Sequence, residues 1–202
     1  MSDVALELPP RGLITLFRRP MMLDGRGLTH GKTHLAWDDV EFYTYRWENG
    51  HVAGDIYVVA HDDRWLRIDH RYYYWRQAAD RILEELHPRL RARPDYHPFR
   101  LTDSELRHAA FGTLPLTEID RVEIVHVGGG PGLVVIRRGS TDDWSTDSLE
   151  TIHDVVMLLD DLIARGIAVR PSVPLWLPPS VRQISEGFAS EVSLPQARLI
   201  RR

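Results

Sequence analysis

The chain has 202 residues, of which 43% are hydrophobic and 27% are charged, a composition typical of a globular protein. Its formal net charge of −4 argues against a nucleic-acid-binding protein, because such proteins present a strongly basic surface to phosphates. The lack of cysteine excludes disulfides, thiolate-bound zinc and a cysteine nucleophile. We expect a cytoplasmic protein, since the amino terminus does not follow a signal-peptide pattern and no segment approaches the roughly 20 apolar residues that span a bilayer.

The first predicted unit covers residues 12–90 and follows a short extended arm at residues 1–11. Branched and aromatic residues between turn signals predict strands over Leu13–Arg18, Met21–Asp24, Leu28–Ala36, Val40–Trp47, Val52–Ala60 and Trp65–Ile68. Apolar residues then recur at spacings of three and four, which predicts an amphipathic helix over Arg71–Leu86 that ends before Pro88. The unit is therefore predicted to be a β-meander closed by one helix.

A second predicted unit, residues 99–167, repeats this order after a basic, proline-containing linker at residues 91–98. Its strands are predicted over Phe99–Thr102, Glu105–Ala110, Thr113–Leu116, Val122–Val127 and Leu133–Arg138. A last helix is predicted over Leu149–Arg165, with Asp147 and Ser148 as candidate caps and Gly166 at its end. Residues 168–202 begin rich in proline and are predicted to form a docking arm.

The two units align with each other. Residues of like character match at one constant offset up to the last strand, as in the pairs Leu35/Leu114, Val40/Ile119 and Trp65/Trp144. In the helix they match at a slightly smaller offset, as in the pair Leu83/Leu159. Repetition at a whole-domain period favours duplication of one small domain. The alternative is that two unrelated β-meanders, each ending in a helix, look alike.

The first unit carries a short motif, a Gly-Leu pair followed by L-x-W-x-x-V, at Gly27-Leu28 and Leu35–Val40. In this motif the chain resembles the pleckstrin-homology-like (PH-like) fold, in particular small bacterial domains of the YcxB-like and DUF6585-like kind. The resemblance implies an α+β protein of two tandem PH-like half-barrels, each a curved antiparallel sheet closed by a C-terminal amphipathic helix. The second unit departs from the motif, with Leu116 in place of the tryptophan and Glu105-Leu106 in place of Gly-Leu. PH-like folds serve lipid-headgroup, peptide and structural roles, so the resemblance implies no single function.

The strongest candidate for a binding surface is the run His70–Arg76, in which aromatic and arginine residues crowd the start of the predicted helix. One helical face can bury only some of these rings, and Tyr, Trp and Arg are enriched at interface hot spots. The docking arm adds apolar residues after a proline-rich start. We therefore expect a non-catalytic adaptor or assembly subunit that binds another protein, or a second copy of itself, through Tyr72, Tyr73, Tyr74, Trp75, Arg76, Trp176, Leu177 and Phe188. The alternative for both segments is packing against the protein's own core.

Two further functions stay open. Binding of anionic lipid headgroups at a membrane surface would use arginines of the first unit, namely Arg64, Arg67, Arg71 and Arg76. An enzyme ranks third, because the sequence has no G-x-S-x-G motif and no pattern that places a base beside a nucleophile.

No cofactor, metal or catalytic residue is predicted. His30 and His34 fall on one predicted strand, where residues four apart are separated by about 13 Å, too far to share a metal ion. The stretch Gly128–Gly132 lies between two predicted strands and lacks the helix start of a phosphate loop. A second group has oxygen and nitrogen donors without the spacing of a zinc or calcium motif, namely His61, Asp62, Asp63 and His70.

Overall fold

A computed structural model of the chain describes residues 5–12, 18–47, 54–127, 130–140, 143–145 and 148–171. Within these ranges the protein is a mixed α+β structure with two α-helices and four small β-sheets, none of which closes into a barrel. The sheets are antiparallel except for one parallel pair of strands. No helix in the described ranges is long and apolar enough to cross a membrane.

Two sheets and one helix make up the first half. The first sheet contains, in order, β1 (Leu6–Leu8), β2 (Met21–Asp24), β3 (Gly27–His30) and β4 (Thr33–Ala36). A 3₁₀ turn at Trp37–Asp39 leads into the second sheet, which contains β5 (Val40–Trp47), β6 (Gly54–Ala60) and β7 (Trp65–Ile68). Helix α1 (Trp75–Leu90) follows.

The second half also has two sheets and one helix. Its first sheet contains β8 (Phe99–Leu101), β9 (Glu105–His108) and β10 (Gly112–Pro115), and a 3₁₀ turn follows at Leu116–Glu118. The remaining elements are β11 (Ile119–Val127), β12 (Gly130–Arg137), β13 (Trp144–Ser145), a 3₁₀ turn at Leu149–Thr151, α2 (Val155–Ala164) and β14 (Ala168–Pro171). The last sheet has the order β13-β12-β11-β14, with β14 parallel to β11.

The order of elements in the first half recurs in the second. In each half, three short strands lead through a 3₁₀ turn into a three-stranded meander, and a helix follows. An irregularity recurs as well, because the pairing register shifts between Val40 and Phe42 in β5 and between Ile119 and Arg121 in β11. The two shifts fall at positions that the alignment of the units makes equivalent. The halves differ at their ends, where β1 extends the first sheet and β14 extends the last.

The buried apolar side chains of both halves form one cluster. Trp37, the tryptophan of the sequence motif, lies in it, and its Nε1 donates a hydrogen bond to the carbonyl oxygen of Asp24 at 2.9 Å. This bond ties the first 3₁₀ turn to the end of β2. Helix α1 contributes apolar residues that recur at helical spacing, namely Ala78, Ala79, Ile82, Leu83 and Leu86.

The predicted bounds of the first helix are wrong at both ends. Helix α1 begins at Trp75, because residues 71–74 form a turn, and it continues through Pro88 to Leu90. A proline in a last turn removes one helical hydrogen bond, and the carbonyl that loses its donor belongs to the exposed Glu84. The helix also gains a bond beyond the proline, from the backbone N–H of Arg91 to the carbonyl oxygen of His87 at 3.0 Å.

The predicted second helix is split in two. Asp154, with a φ of 46°, separates the 3₁₀ turn at Leu149–Thr151 from α2. Ser148 caps the 3₁₀ turn, since its Oγ accepts a hydrogen bond from the N–H of Glu150 at 3.2 Å, while Asp147 lies outside the described residues. The predicted stop is confirmed, because Gly166, which follows the C-cap residue Arg165, adopts a φ of 81°.

Several strand predictions are confirmed and others need correction. β2, β5 and β7 have the predicted bounds. The predicted strand over Leu28–Ala36 is two strands, because Gly31 turns the chain with a φ of 63°. Gly130–Gly132 of the predicted loop belongs to β12, and residues 128–129 lie outside the described ranges, as does most of the predicted strand over Leu13–Arg18.

Two connections that the sequence leaves unstructured are packed. In the linker, Tyr96 is buried and its hydroxyl donates to Oδ2 of Asp161 in α2 at 2.5 Å. At the start of the docking arm, residues 168–171 form β14 and pair with β11. The rest of the arm, residues 172–202, lies outside the described residues.

Candidate functional site

The turn between β7 and α1, together with the first two residues of α1, carries most of the predicted binding residues. We call this segment, Asp69–Arg76, the aromatic turn. Two of its rings are exposed, with Tyr73 at 47% and Tyr74 at 55% of full exposure, whereas Tyr72 and Trp75 are buried. Two of the four aromatic residues of the turn thus face solvent, and the other two belong to the core.

The backbone of the aromatic turn is fixed from two sides. Asp69 accepts two hydrogen bonds, from the N–H of Arg71 to its Oδ1 at 2.9 Å and from the N–H of Tyr72 to its carbonyl oxygen at 3.1 Å. The amino-terminal segment pairs with the other side, since the N–H of Tyr73 donates to the carbonyl of Pro9 at 2.9 Å and the N–H of Arg11 donates to the carbonyl of Arg71 at 2.8 Å. These bonds hold the turn in one conformation.

Tyr72 anchors the turn in the protein. Its hydroxyl lies 3.1 Å from Nε2 of His30 in β3, and the two rings meet edge to face at 6.1 Å between centroids. The guanidinium of Arg18 lies 6.0 Å from the ring centroid. Burial raises the pKa of the Tyr72 phenol, so the hydroxyl stays protonated and available for hydrogen bonding.

Tyr74 occupies a strained backbone position. Its φ of 60° and ψ of 15° lie in the left-handed region, where bulky residues are uncommon, and it directly precedes α1. The carbonyl of Tyr74 accepts the first helical bond from the N–H of Ala78 at 3.0 Å. Strain of this kind persists only where the surrounding structure imposes it, and it is frequent at functional sites.

One exposed ring, Tyr73, and one buried ring, Trp75, lie against arginine side chains. The rings of Tyr73 and Tyr74 are 6.4 Å apart between centroids. The guanidinium carbon of Arg11 lies 5.0 Å from the centroid of the Tyr73 ring, and that of Arg76 lies 5.3 Å from the Trp75 ring, both within cation–π distance. The surface combines two phenol rings with cationic groups.

Buried charges support the base of the aromatic turn. The carboxylates of Asp55 in β6 and Asp69 are both buried. Arg67 in β7 forms an ion pair with Asp55, and its Nε lies 3.3 Å from Oδ2 of Asp69. Arg18 reaches the same oxygen at 3.6 Å. No local sequence pattern singles out these carboxylates, although an aspartate one strand away from an arginine in a meander is a usable signal.

The arginines proposed for lipid headgroups differ in what they contact. Arg67 is bound to buried carboxylates, and Arg64 contacts Oδ2 of Asp62 at 2.6 Å and the carbonyl of His34 at 2.6 Å. Arg71 is half-buried on the aromatic turn and Arg76 is exposed on α1. The four side chains therefore serve different local structures.

The described residues contain no group of three or more His, Cys, Asp or Glu side chains arranged to hold a metal. The prediction that His30 and His34 share one strand is wrong, because they lie on the paired strands β3 and β4. Nδ1 of His34 contacts Oγ1 of Thr29 at 2.8 Å. Nδ1 of His61 lies 3.8 Å from Glu41. The predicted partner-binding residues of the docking arm, Trp176, Leu177 and Phe188, lie outside the described residues.

The contact between the two halves brings together titratable groups that the sequence did not single out. His153 stacks on Phe42 of β5, with ring centroids 3.6 Å apart and planes 3° from parallel. Nδ1 of the His153 ring lies 3.0 Å from Oδ2 of Asp95, and the backbone N–H of His153 donates to the carbonyl of His97 at 2.9 Å. These residues come from three separate segments, so no local pattern marks them as neighbours.

Neither the models of known protein families nor the sequences of characterised proteins match this chain. The PH-like resemblance therefore stays a prediction, and the functional argument rests on the geometry of the aromatic turn.

Proposed function

We propose that the protein is a non-catalytic binding module, an adaptor or assembly subunit, built from two tandem PH-like half-barrels at residues 12–90 and 99–167. The recurring element order and the matching register shifts in β5 and β11 support the tandem arrangement. The observation that carries the binding function is the exposed pair Tyr73 and Tyr74 on a turn whose backbone is fixed. A surface that is already ordered loses little conformational entropy when a partner covers it.

The charge around the rings favours an acidic partner. The described segments 9–12 and 70–76 contribute Arg11, Arg71 and Arg76 and contain no acidic residue. Asp69, the acid next to them in sequence, is buried and bound to Arg67 and Arg18. An acidic polypeptide segment would place its carboxylates against these arginines and its apolar groups on the tyrosine rings, the combination typical of interface hot spots.

The experiment compares proteins retained by the immobilised wild-type chain, by the double variant Tyr73→Ala/Tyr74→Ala and by Trp65→Ala, in lysate of the source cells. Trp65 is 55% exposed at the start of β7, outside the aromatic turn, so Trp65→Ala is a matched loss of an exposed ring. We expect one partner to be retained by wild type and by Trp65→Ala and lost by the double variant. With the purified partner, the double variant should raise Kd by roughly thirtyfold or more, the effect of losing about 2 kcal/mol at a hot spot.

An unchanged Kd in the double variant would refute the proposed site. Removal of residues 172–202 in the same assay tests whether the docking arm contributes through Trp176, Leu177 and Phe188. The cut follows Pro171 because β14 ends there.

Binding to anionic lipid headgroups is the competing proposal, since exposed tyrosine and arginine side by side also suit a membrane interface. Vesicles with and without phosphatidylserine, measured over a salt series, separate the two. Lipid binding should fall steeply with salt and should be lost in Arg71→Ala/Arg76→Ala. Arg64 pairs with the exposed Asp62 and Arg67 pairs with the buried Asp55 and Asp69, which leaves fewer of the predicted arginines for this role.

A further inference from the structure

Asp154, the residue before α2, joins the second half of the chain to the first. Its backbone N–H donates to the carbonyl oxygen of Tyr43 at 2.9 Å, and its Oδ1 accepts from the N–H of Tyr43 at 3.0 Å. Tyr43 lies in β5, which is an edge strand of its sheet. One residue thus satisfies both backbone groups that Tyr43 presents at that edge.

In the second half, a whole strand pairs with the backbone groups at the equivalent edge. Val122 in β11, the counterpart of Tyr43 in the alignment of the two units, lies opposite Val169 of the parallel strand β14. At the equivalent edge of β5, Oδ1 of Asp154 accepts the N–H bond that the carbonyl of a neighbouring strand would otherwise accept. The contact in the first half therefore depends on the protonation state of the Asp154 carboxyl group.

The surroundings of Asp154 favour an uncharged carboxyl group. The residue is fully buried, and its Oδ2 makes no hydrogen bond of normal geometry among the described residues, although the backbone N–H of Asp95 lies near the carboxyl group. Burial raises the pKa of Asp154 to about 7, and the nearby carboxylate of Asp95 adds to this effect, while the backbone N–H groups of Tyr43 and Asp95 oppose it. Compared with the usual value of 3.8, the buried group binds a proton roughly a thousandfold more tightly.

Titratable and charged groups face this contact from every element around it. On the α1 side, Nε2 of His87 lies within hydrogen-bond distance of the hydroxyl of Tyr43, at 3.0 Å. Glu150 of the 3₁₀ turn lies 3.8 Å from Nε of Arg46 in β5. The linker and the residues in and just before α2 supply the remaining groups, namely Asp95, Tyr96, His97, His153 and Asp161.

We propose that Asp154 is a proton-controlled latch, which fastens the start of α2 to the edge of β5 when its carboxyl is protonated and releases that edge when the carboxyl ionises. The N–H of Tyr43 bonds to the ionised carboxylate as well, but it does not replace the water that a buried carboxylate loses, so ionisation favours the opened state. Because the pKa is raised in the folded protein, the stabilising contribution is complete below about pH 4 and is lost as pH rises to about 7. The stacking of His153 on Phe42 does not involve this carboxyl, so the opening is local. It exposes the N–H and C=O of Tyr43, the groups with which an edge strand pairs to another chain.

The latch is tested by hydrogen exchange of the Tyr43 amide, followed by NMR in the full-length protein between pH 5 and pH 8.5. The protection factor, which corrects for the intrinsic pH dependence of exchange, should fall about tenfold for each pH unit up to about pH 7 and then level off. In Asp154→Asn it should not vary with pH, because the amide stays neutral and asparagine tolerates the left-handed conformation. A constant Tyr43 protection factor in wild type, or the same pH dependence in Asp154→Asn, would overturn the proposal.

Asp95→Asn is the matched control. Histidine ordinarily changes charge in the same pH range, so the His153–Asp95 pair is a competing source of pH dependence. The latch predicts that Asp95→Asn keeps the pH dependence at Tyr43 with a lower midpoint, because the Asp95 carboxylate adds to the raised pKa of Asp154, whereas a histidine switch predicts its loss. Should Asp154→Asn fail to fold, a carbon-13 titration of the wild-type Asp154 carboxyl decides the matter directly, with a midpoint near 7 supporting the latch and one near 4 overturning it.

Discussion

Gly27 in the sequence motif makes a closer approach to a neighbouring strand than any other residue type allows. It lies opposite Ala36 in the β3–β4 pair. A Cβ atom at this position would lie 2.9 Å from the carbonyl carbon of Leu35 and 3.0 Å from the Cα of Ala36, and nearer still to the carbonyl oxygen of Leu35. All three atoms belong to the backbone, so no side-chain rotation relieves the clash.

Gly27→Ala must therefore push β3 away from β4 at Ala36, just before the 3₁₀ turn at Trp37–Asp39. Overpacking a tight site costs about 1–3 kcal/mol, and loss of the neighbouring bond from the N–H of Trp37 to the carbonyl of Arg26 adds about 1 kcal/mol. We expect the free energy of unfolding to fall by about 2–4 kcal/mol. With a urea m-value of about 2 kcal/mol/M, the unfolding midpoint should fall by about 1–2 M.

Urea unfolding followed by circular dichroism measures this loss, and NMR exchange of the Trp37 indole N–H locates it. We expect faster indole exchange in Gly27→Ala, because the shift disturbs the bond from Trp37 to Asp24. Gly139→Ala is the control, since its added Cβ meets open space and only the φ of 69° makes it unfavourable, by about 1–2 kcal/mol. A Gly27→Ala protein with the wild-type midpoint and a protected Trp37 indole would show that the steric argument is wrong.

Two further predictions concern the buried polar groups. Arg67→Met should reduce the free energy of unfolding at neutral pH by about 3 kcal/mol, the lower end of the range for breaking a buried ion pair. The buried carboxylate of Asp55 loses the guanidinium of Arg67, whereas Asp69 keeps Arg18 and Arg67 itself is partly exposed, so the lower end applies. An Arg67→Met midpoint equal to wild type in urea unfolding would contradict this. Burial, with a smaller effect from Arg91, lowers the pKa of His87 to about 4. The neutral imidazole therefore contributes to stability fully above pH 6.5, and this contribution is lost as pH falls towards 4. The loss amounts to up to about 3 kcal/mol. The difference in unfolding free energy between His87→Gln and wild type should change by that amount across this pH range, and a constant difference would argue against a buried neutral imidazole.

The predictions that succeeded depend on local chemistry. Alternation and turn residues are properties of short segments, and they placed β5 and β7 with the observed bounds. The helical spacing of apolar residues located α1, but its ends depended on the turn that pairs with Pro9 and on the tolerance of Pro88 in the last turn. The split before α2 could not be predicted, because its cause is a contact with Tyr43.

The candidate site was predictable in composition and not in geometry. An aromatic and basic run stood out at residues 70–76, whereas the division into exposed Tyr73 and Tyr74 and buried Tyr72 and Trp75 follows from how the turn pairs with the amino-terminal segment. The sequence also grouped four arginines by charge alone. The fold separates them, because the carboxylate of Asp55, buried on the neighbouring strand, forms an ion pair with Arg67 alone among the four.

By itself the sequence determined the α+β class, the repeating order of elements and the residues with binding chemistry, since these depend on periodicity and composition over short distances. Tertiary structure decided which rings are displayed, which charges are buried and which carboxyl group can hold a proton near neutral pH. The bond between Tyr43 and Asp154 joins residues 111 positions apart in the chain. Burial and pKa are set by whatever the fold brings together, and at such separations no local pattern carries that information.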